Sequence, residues 1–135
     1  MPINCSKFQL NQKLYFICGW VTLGGPDFRF VSEFYSMNQK GRKVELPPMM
    51  YEWNSMSLSG ISEMLVALGG WNRGTLNYSE IYMVNTQKWK RLPPLNTARQ
   101  LPGSIILKSV RAFCFCGIKT SRDHLRSIES LELSI

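Results

Sequence analysis

An apolar strand that stops at glycine occurs three times along this chain at a nearly constant interval, and no other feature of the sequence restricts the fold as much. The first copy is Tyr15-Phe16-Ile17-Cys18-Gly19, the second Leu65-Val66-Ala67-Leu68-Gly69-Gly70 and the third Phe113-Cys114-Phe115-Cys116-Gly117. Gly19 and Gly70 are 51 residues apart, and Gly70 and Gly117 are 47 apart. A second landmark keeps step: Glu33-Phe34-Tyr35, Glu80-Ile81-Tyr82 and Glu129-Ser130-Leu131 follow one another at 47 and 49 residues. Leu46-Pro47-Pro48-Met49 and Leu92-Pro93-Pro94-Leu95, 46 apart, make a third landmark. Landmarks sharing one period define a repeat of about 50 residues, and a repeat of that length marks a solenoid, a propeller or a similar array.

Each unit reads as four short strands. In the middle unit these are Met56 to Ile61, Met64 to Leu68, Ser79 to Val84 and Trp89 to Leu92. Gly69-Gly70 supplies the backbone freedom needed where the second strand ends, and Pro93-Pro94 closes the fourth, because proline cannot donate to a ladder. The same template predicts strands at Lys7 to Leu10, Leu14 to Cys18, Val31 to Met37 and Lys43 to Leu46 in the first unit. In the third it predicts Ser104 to Leu107, Arg111 to Cys116 and Ser127 to Leu133, with no fourth strand before Ile135. No segment of ten or more residues carries helical periodicity. The 135 residues are too few for two ordinary domains, so the chain is expected to be one unit of three repeats, at about 5–50, 54–97 and 103–135.

The middle unit resembles the kelch repeat: an apolar strand ending in Gly69-Gly70, then Glu80-x-Tyr82, then Trp89, then Leu92-Pro93-Pro94 and Thr97-Ala98-Arg99. The first unit departs from it, with Gly19-Trp20 for the glycine pair and Arg42 and Lys43 where the counterpart of Trp89 belongs. The third has Cys116-Gly117 and Leu131 for Gly-Gly and Tyr. The resemblance implies an all-β fold, a partial β-propeller of four-stranded blades packed face to face around a channel. Both faces of a blade are then buried, which accounts for the unbroken apolar run Met64 to Leu68. Closed propellers typically have 4 to 8 blades. Just under three blades make an open arc, expected to be a fragment of a longer parent chain, to be completed by a second chain, or to associate through its end faces.

Composition narrows the functional classes. With 44% hydrophobic and 19% charged residues the chain lies away from the disordered range. No apolar run approaches the roughly 18 residues of a membrane helix, and Met1 to Leu10 has no secretory pattern, so a cytoplasmic protein without membrane contact is expected. The four cysteines, 5, 18, 114 and 116, are expected to be reduced and packed. One Cys-x-Cys and a lone His124 do not make a zinc pattern, so no metal or other cofactor is expected. The net charge of +7 raises nucleic acid as a partner, but the basic residues are scattered or in short groups such as Gln39 to Lys43 and Lys88 to Arg91. Nucleic acid is therefore the alternative and not the first expectation.

Catalysis would need converging acids, bases or nucleophiles, and these are scarce. Glu33, Glu80 and Glu129 recur with the repeat, which fits a shared structural role better than one active site. The chain is not expected to be an enzyme, and no catalytic residue is assigned. The template instead gathers Trp20, Arg29, Trp53, Trp71, Arg73, Arg99 and Arg122 in loops opening on one side. Tryptophan supplies apolar contact area and arginine grips carboxylate or phosphate bidentately, so these residues predict a site for a protein or an acidic peptide. For Arg99 two readings stand: at the mouth of the channel facing such a peptide, as the resemblance implies, or bridged to a carboxylate of the neighbouring unit. The expected function is a protein-interaction module, as a scaffold or substrate-adaptor part. A basic nucleic-acid-binding propeller surface and a propeller enzyme are the rivals.

Overall fold

The computed structural model describes residues 3–24, 27–50, 55–72, 74–107, 111–120 and 123–133, with side chains at 3, 4 and 18–32 outside that description. The described residues form thirteen β-strands and no helix. The first sheet holds β1 (Ile3–Leu10), β2 (Lys13–Gly24), β3 (Asp27–Met37) and β4 (Lys43–Leu46), antiparallel and in chain order. The middle sheet repeats this order with β5 (Ser57–Ile61), β6 (Met64–Leu68), β7 (Ser79–Met83) and β8 (Lys88–Arg91). The third contains β9 (Gly103–Leu107), β10 (Arg111–Phe115) and β13 (Ile128–Glu132), while β11 (Ile118–Thr120) and β12 (Asp123–His124) make a small ribbon of their own. Three antiparallel sheets in series follow the three repeats, and each sheet uses its landmarks alike. The strand before the glycines lies at the centre, and the strand carrying Glu33, Glu80 or Glu129 pairs beside it.

Two apolar clusters hold the sheets together. Leu10, Tyr15, Ile17 and Phe34 of the first sheet meet Met56, Leu58, Leu65, Ala67 and Tyr82 of the middle one. The other face of the middle sheet, Met64, Val66, Leu68 and Ile81, meets Ile106, Ala112, Cys114 and Leu133 of the third. Every residue of β6 is buried, because alternate side chains enter different clusters. That is the physical reason for an unbroken apolar strand, here without parallel pairing. The strands β1, β5 and β9, first in their units, lie along one edge of the stack, with β5 in contact with both of the others.

The glutamates fasten one sheet to the connector before it. Glu80 accepts the backbone N–H of Met50, at 3.1 Å, from the segment joining the first and middle sheets. Glu129 accepts those of Asn96 and Thr97, the latter at 2.9 Å, from the segment joining the middle and third. A carboxylate that ties down the N–H groups of the preceding connector is a structural use that recurs with the repeat. Glu33, the counterpart in the first sheet, is exposed.

Three sequence expectations are corrected by the structure. First, β2 and β3 extend to Gly24 and Asp27 as one long hairpin, where a loop was expected between Gly19 and Phe30. Second, the counterpart of Trp89 is shifted. Tyr82 stands across from Trp89, whereas its equivalent Tyr35 stands across from Glu45. The Lys43 ammonium still lies 4.3 Å from the centre of the Tyr35 ring, covering it much as Trp89 covers Tyr82 with ring centres 5.1 Å apart. Third, Cys5 is not a free thiol but disulfide-bonded. In the backbone register Cys18 stands across from Cys5 in the β1–β2 ladder. Cys114 and Cys116 are free, the first buried and the second exposed.

Candidate interaction surface

The connections that leave the central strand of each sheet open on the same side as those between sheets, and in the middle and third sheets they are tied together. Gly69 turns the chain at φ +70°, and its N–H and that of Gly70 donate to Tyr78 O and Arg99 O at 2.9 and 2.8 Å. A Cβ on Gly69 would lie 2.3 Å from Arg99 O, so only glycine lets the connector come this close. The loop after β6 closes through a bridge between Trp71 and Thr75. Thr75 Oγ1 donates to Lys119 O at 2.6 Å, and Gln100 is bridged to Ile118 through reciprocal 2.9 Å backbone hydrogen bonds. The loop of the middle sheet, the connector and the β11–β12 ribbon thus form one hydrogen-bonded surface.

On this surface Trp71 is half-buried, and Lys119, Asp123, His124 and Arg126 are exposed. The ribbon was not legible in advance. Its strands are two and three residues long and carry no apolar alternation, and the signal was confined to polar residues fixed by hydrogen bonds from another repeat.

Arg99 is fully buried, which removes it from the predicted contact residues. Its Nη2 lies 2.7 Å from Glu129 Oε2 and 3.0 Å from Ser127 Oγ, while Nη1 donates to Cys116 O and Ser127 O at 3.1 and 2.9 Å. The reading in which Arg99 bridges to a neighbouring unit's carboxylate is the one realised. Planar guanidinium geometry suits it, since one side chain spans a carboxylate, a hydroxyl and two carbonyls. Beside this network, burial pushes the Cys114 thiol up to about 11, the positive charge of Arg99 pulling the other way.

Of the remaining predicted residues, Trp20 and Arg29 belong to the β2–β3 hairpin and not to a loop, paired with Phe30 and Val21 respectively. Their side chains lie outside the described residues, as do Trp53, Arg73 and Arg122 altogether. The structure therefore links the Trp71 loop through Thr75 to Lys119, which sequence reasoning missed, and turns Arg99 inward.

On the opposite side, turns of the first sheet bring Lys13, Lys40 and Arg42 around a concavity of about 460 Å³. Asn38 Oδ1 accepts the N–H groups of Lys40 and Arg42, each at 2.9 Å, which fixes this turn. Among the described residues no group of three or more His, Cys, Asp and Glu side chains is placed to hold a metal ion. Nor is any helix long and apolar enough to cross a membrane.

Comparison with known proteins points the same way as the repeat. The chain is 35% identical over 82 residues to kelch repeat and BTB domain-containing protein 2 of ectromelia virus, covering 58% of this chain and 15% of that protein. It is 31% identical over 91 residues to the protein of the same name from cowpox virus, covering 64% of this chain and 16% of the relative. The similarity thus spans about one-sixth of the length of these relatives. No family model matches the chain.

Proposed function

We propose that the chain is an arc of kelch-type propeller blades that acts as a protein-recognition module. Its contact side is the one formed by the Trp71 loop, the connector at Gln100 and the β11–β12 ribbon. The observation that carries this reading is the bracing of that side. Loops from two repeats are joined by Thr75 on Lys119 O and by the Gln100–Ile118 bridge, with a half-buried tryptophan at their centre. A surface ordered before binding loses less entropy on association, and a rigid aromatic anchor is the kind of residue that dominates binding energy. The names of the two viral relatives, which join kelch repeats to a BTB domain, support an interaction role such as that of a scaffold or adaptor part.

The partner we propose is an acidic or phosphorylated peptide segment, matched by the net charge of +7 and by exposed Lys119 and Arg126. Trp20, Arg29, Trp53, Arg73 and Arg122 remain proposed contacts from the repeat template. Binding of a fluorescent Asp/Glu-rich peptide, read by anisotropy, tests this. Trp71→Ala is expected to weaken it about tenfold or more, by the loss of one anchor, while Gln87→Ala with Lys88→Ala on the opposite side leaves it unchanged. Loss of binding only in the second pair contradicts the assignment.

A second reading, nucleic-acid binding, has the Lys13, Lys40 and Arg42 concavity behind it. It requires affinity for single strands that falls steeply with salt and is lost in Lys13→Ala with Arg42→Ala.

A further inference from the structure

The concavity around Lys13, Lys40 and Arg42 lies between two turns of one sheet, at the same end of its strands, so it does not depend on what stands against either face of that sheet. It holds about 460 Å³, and every other residue lining it is Asn or Gln. Among the described residues none of the three cations makes an ion pair. The one carboxylate in the described turns on this side is that of the exposed Glu63, between β5 and β6, and it does not line the concavity.

The backbone that carries these charges is held in place. Asn38 Oδ1 accepts the N–H groups of Lys40 and Arg42, and the Asn38 N–H donates to Arg42 O at 3.1 Å, which closes the second turn. Leu14 stands across from Met37, and this sets that turn beside the first. Asn11 and Gln12 carry the first turn at φ 51° and 66°, and Asn11 Nδ2 donates to Ser62 O at 2.7 Å, tying it to the middle sheet.

The repeat does not require this charge. The middle sheet makes the same two connections with Ser62-Glu63 and Val84-Asn85-Thr86-Gln87, and neither contains a cation. Met64 stands where Lys13 does, and the second turn of the first sheet is one residue longer and adds Lys40 and Arg42. Like charges gathered round a concavity repel one another and focus a positive potential inside it. A bound anion relieves the repulsion and uses the potential.

We infer that this concavity binds a compact polyphosphate, a soluble molecule with two or more phosphate groups in close succession. Cations from two turns converge on several phosphate charges at once, the guanidinium gripping oxygens bidentately and each lysine acting as a point charge. The amide groups of Gln12 and Gln39 supply further donors. The volume lies in the range of small-molecule sites, roughly 300–1,000 Å³. A nucleic-acid strand spreads its phosphates along a path, whereas these cations surround one centre, and this favours the compact ligand. The site lies on the side opposite the Trp71 loop, so it can fail while peptide recognition stands, and the reverse.

Isothermal titration calorimetry of the full chain with inorganic triphosphate at fixed ionic strength tests it. Binding at one site per chain is expected, with orthophosphate weaker by about tenfold or more. Lys13→Ala and Arg42→Ala are each expected to weaken triphosphate by about tenfold, and Arg42→Lys by less. Lys90→Ala, which removes an exposed charge of β8, and Trp71→Ala are expected to leave it unchanged. Melting curves establish that each variant is folded. A wild type that does not bind triphosphate overturns the inference. An equal loss in Lys90→Ala overturns it too, since net charge alone would then account for binding. Oligothymidylate that displaces triphosphate at equal phosphate concentration would assign the concavity to nucleic acid and overturn the compact ligand.

Discussion

Arg99 shows how a single residue changes meaning between sequence and structure. With 0% exposure and a guanidinium occupied by Glu129, Ser127 and Cys116, it binds two repeats together. Arg99→Ala is expected to lower stability by about 3–5 kcal/mol, because it leaves the largely buried Glu129 uncompensated; denaturant unfolding measures this, and a change under 1 kcal/mol would contradict the internal role. Tyr82 makes the opposite prediction. It is fully buried, and its hydroxyl finds no hydrogen-bond partner among the described residues. Tyr82→Phe is expected to be neutral or stabilising by about 1 kcal/mol in the same measurement. Burial, with Tyr15 adding to it, pushes the Tyr82 phenol up to about 12, and burial pushes the Cys114 thiol up to about 11. In both cases the unfolded chain releases its proton first, so the stabilisation is complete below pH 9 and is lost as pH rises through 9 to 12. Melting temperature should fall across that window, and Cys114→Ala should flatten the part between 9 and 11.

Among the elements, turns and registers separate what the repeat encodes from what it does not. The strands β4, β6 and β10 were legible within a residue because glycine, proline and a continuous apolar run bound them. The β2–β3 extension was not, since the stretch from Gly19 to Glu33 is 14 residues against 10 from Gly70 to Glu80, and the extra length has no counterpart in the middle repeat. The two-residue offset of β4 was hidden for a related reason: Leu46-Pro47 matches Leu92-Pro93 in sequence while pairing one strand differently in space. Trp89→Ala is expected to cost about 3 kcal/mol, because the indole packs on Tyr82 and Phe34 and donates to Pro47 O at 2.8 Å. Lys43→Ala should cost about 0.5–1 kcal/mol, the scale of an exposed cation–π contact. Equal melting shifts for the two would contradict this division. Gly69→Ala should be far more damaging than Gly41→Ala. Both glycines have positive φ, but only at Gly69 would the added methyl meet backbone, whereas nothing lies within 4 Å at Gly41.

The molecule as a whole is a series of stacked repeats, each held by its neighbours. Such arrays derive stability from nearest-neighbour contacts, so an inner repeat is held on two sides and an end repeat on one. The middle sheet is the inner repeat here, with one cluster on each face. The order of the sheets was legible because the period is visible in three landmarks. The contact surface was less so, because its bracing depends on Thr75, Gln100 and Lys119, polar residues that no periodic pattern singles out. Amide hydrogen exchange followed residue by residue tests the serial arrangement most directly. Protection should be greatest in Leu65–Leu68 and Ile81–Tyr82 and weaker in both outer sheets, with the β13 edge exchanging fastest of the long strands in the third sheet. Uniform protection across the three sheets, or slower exchange in the first or third than in the middle one, would contradict it.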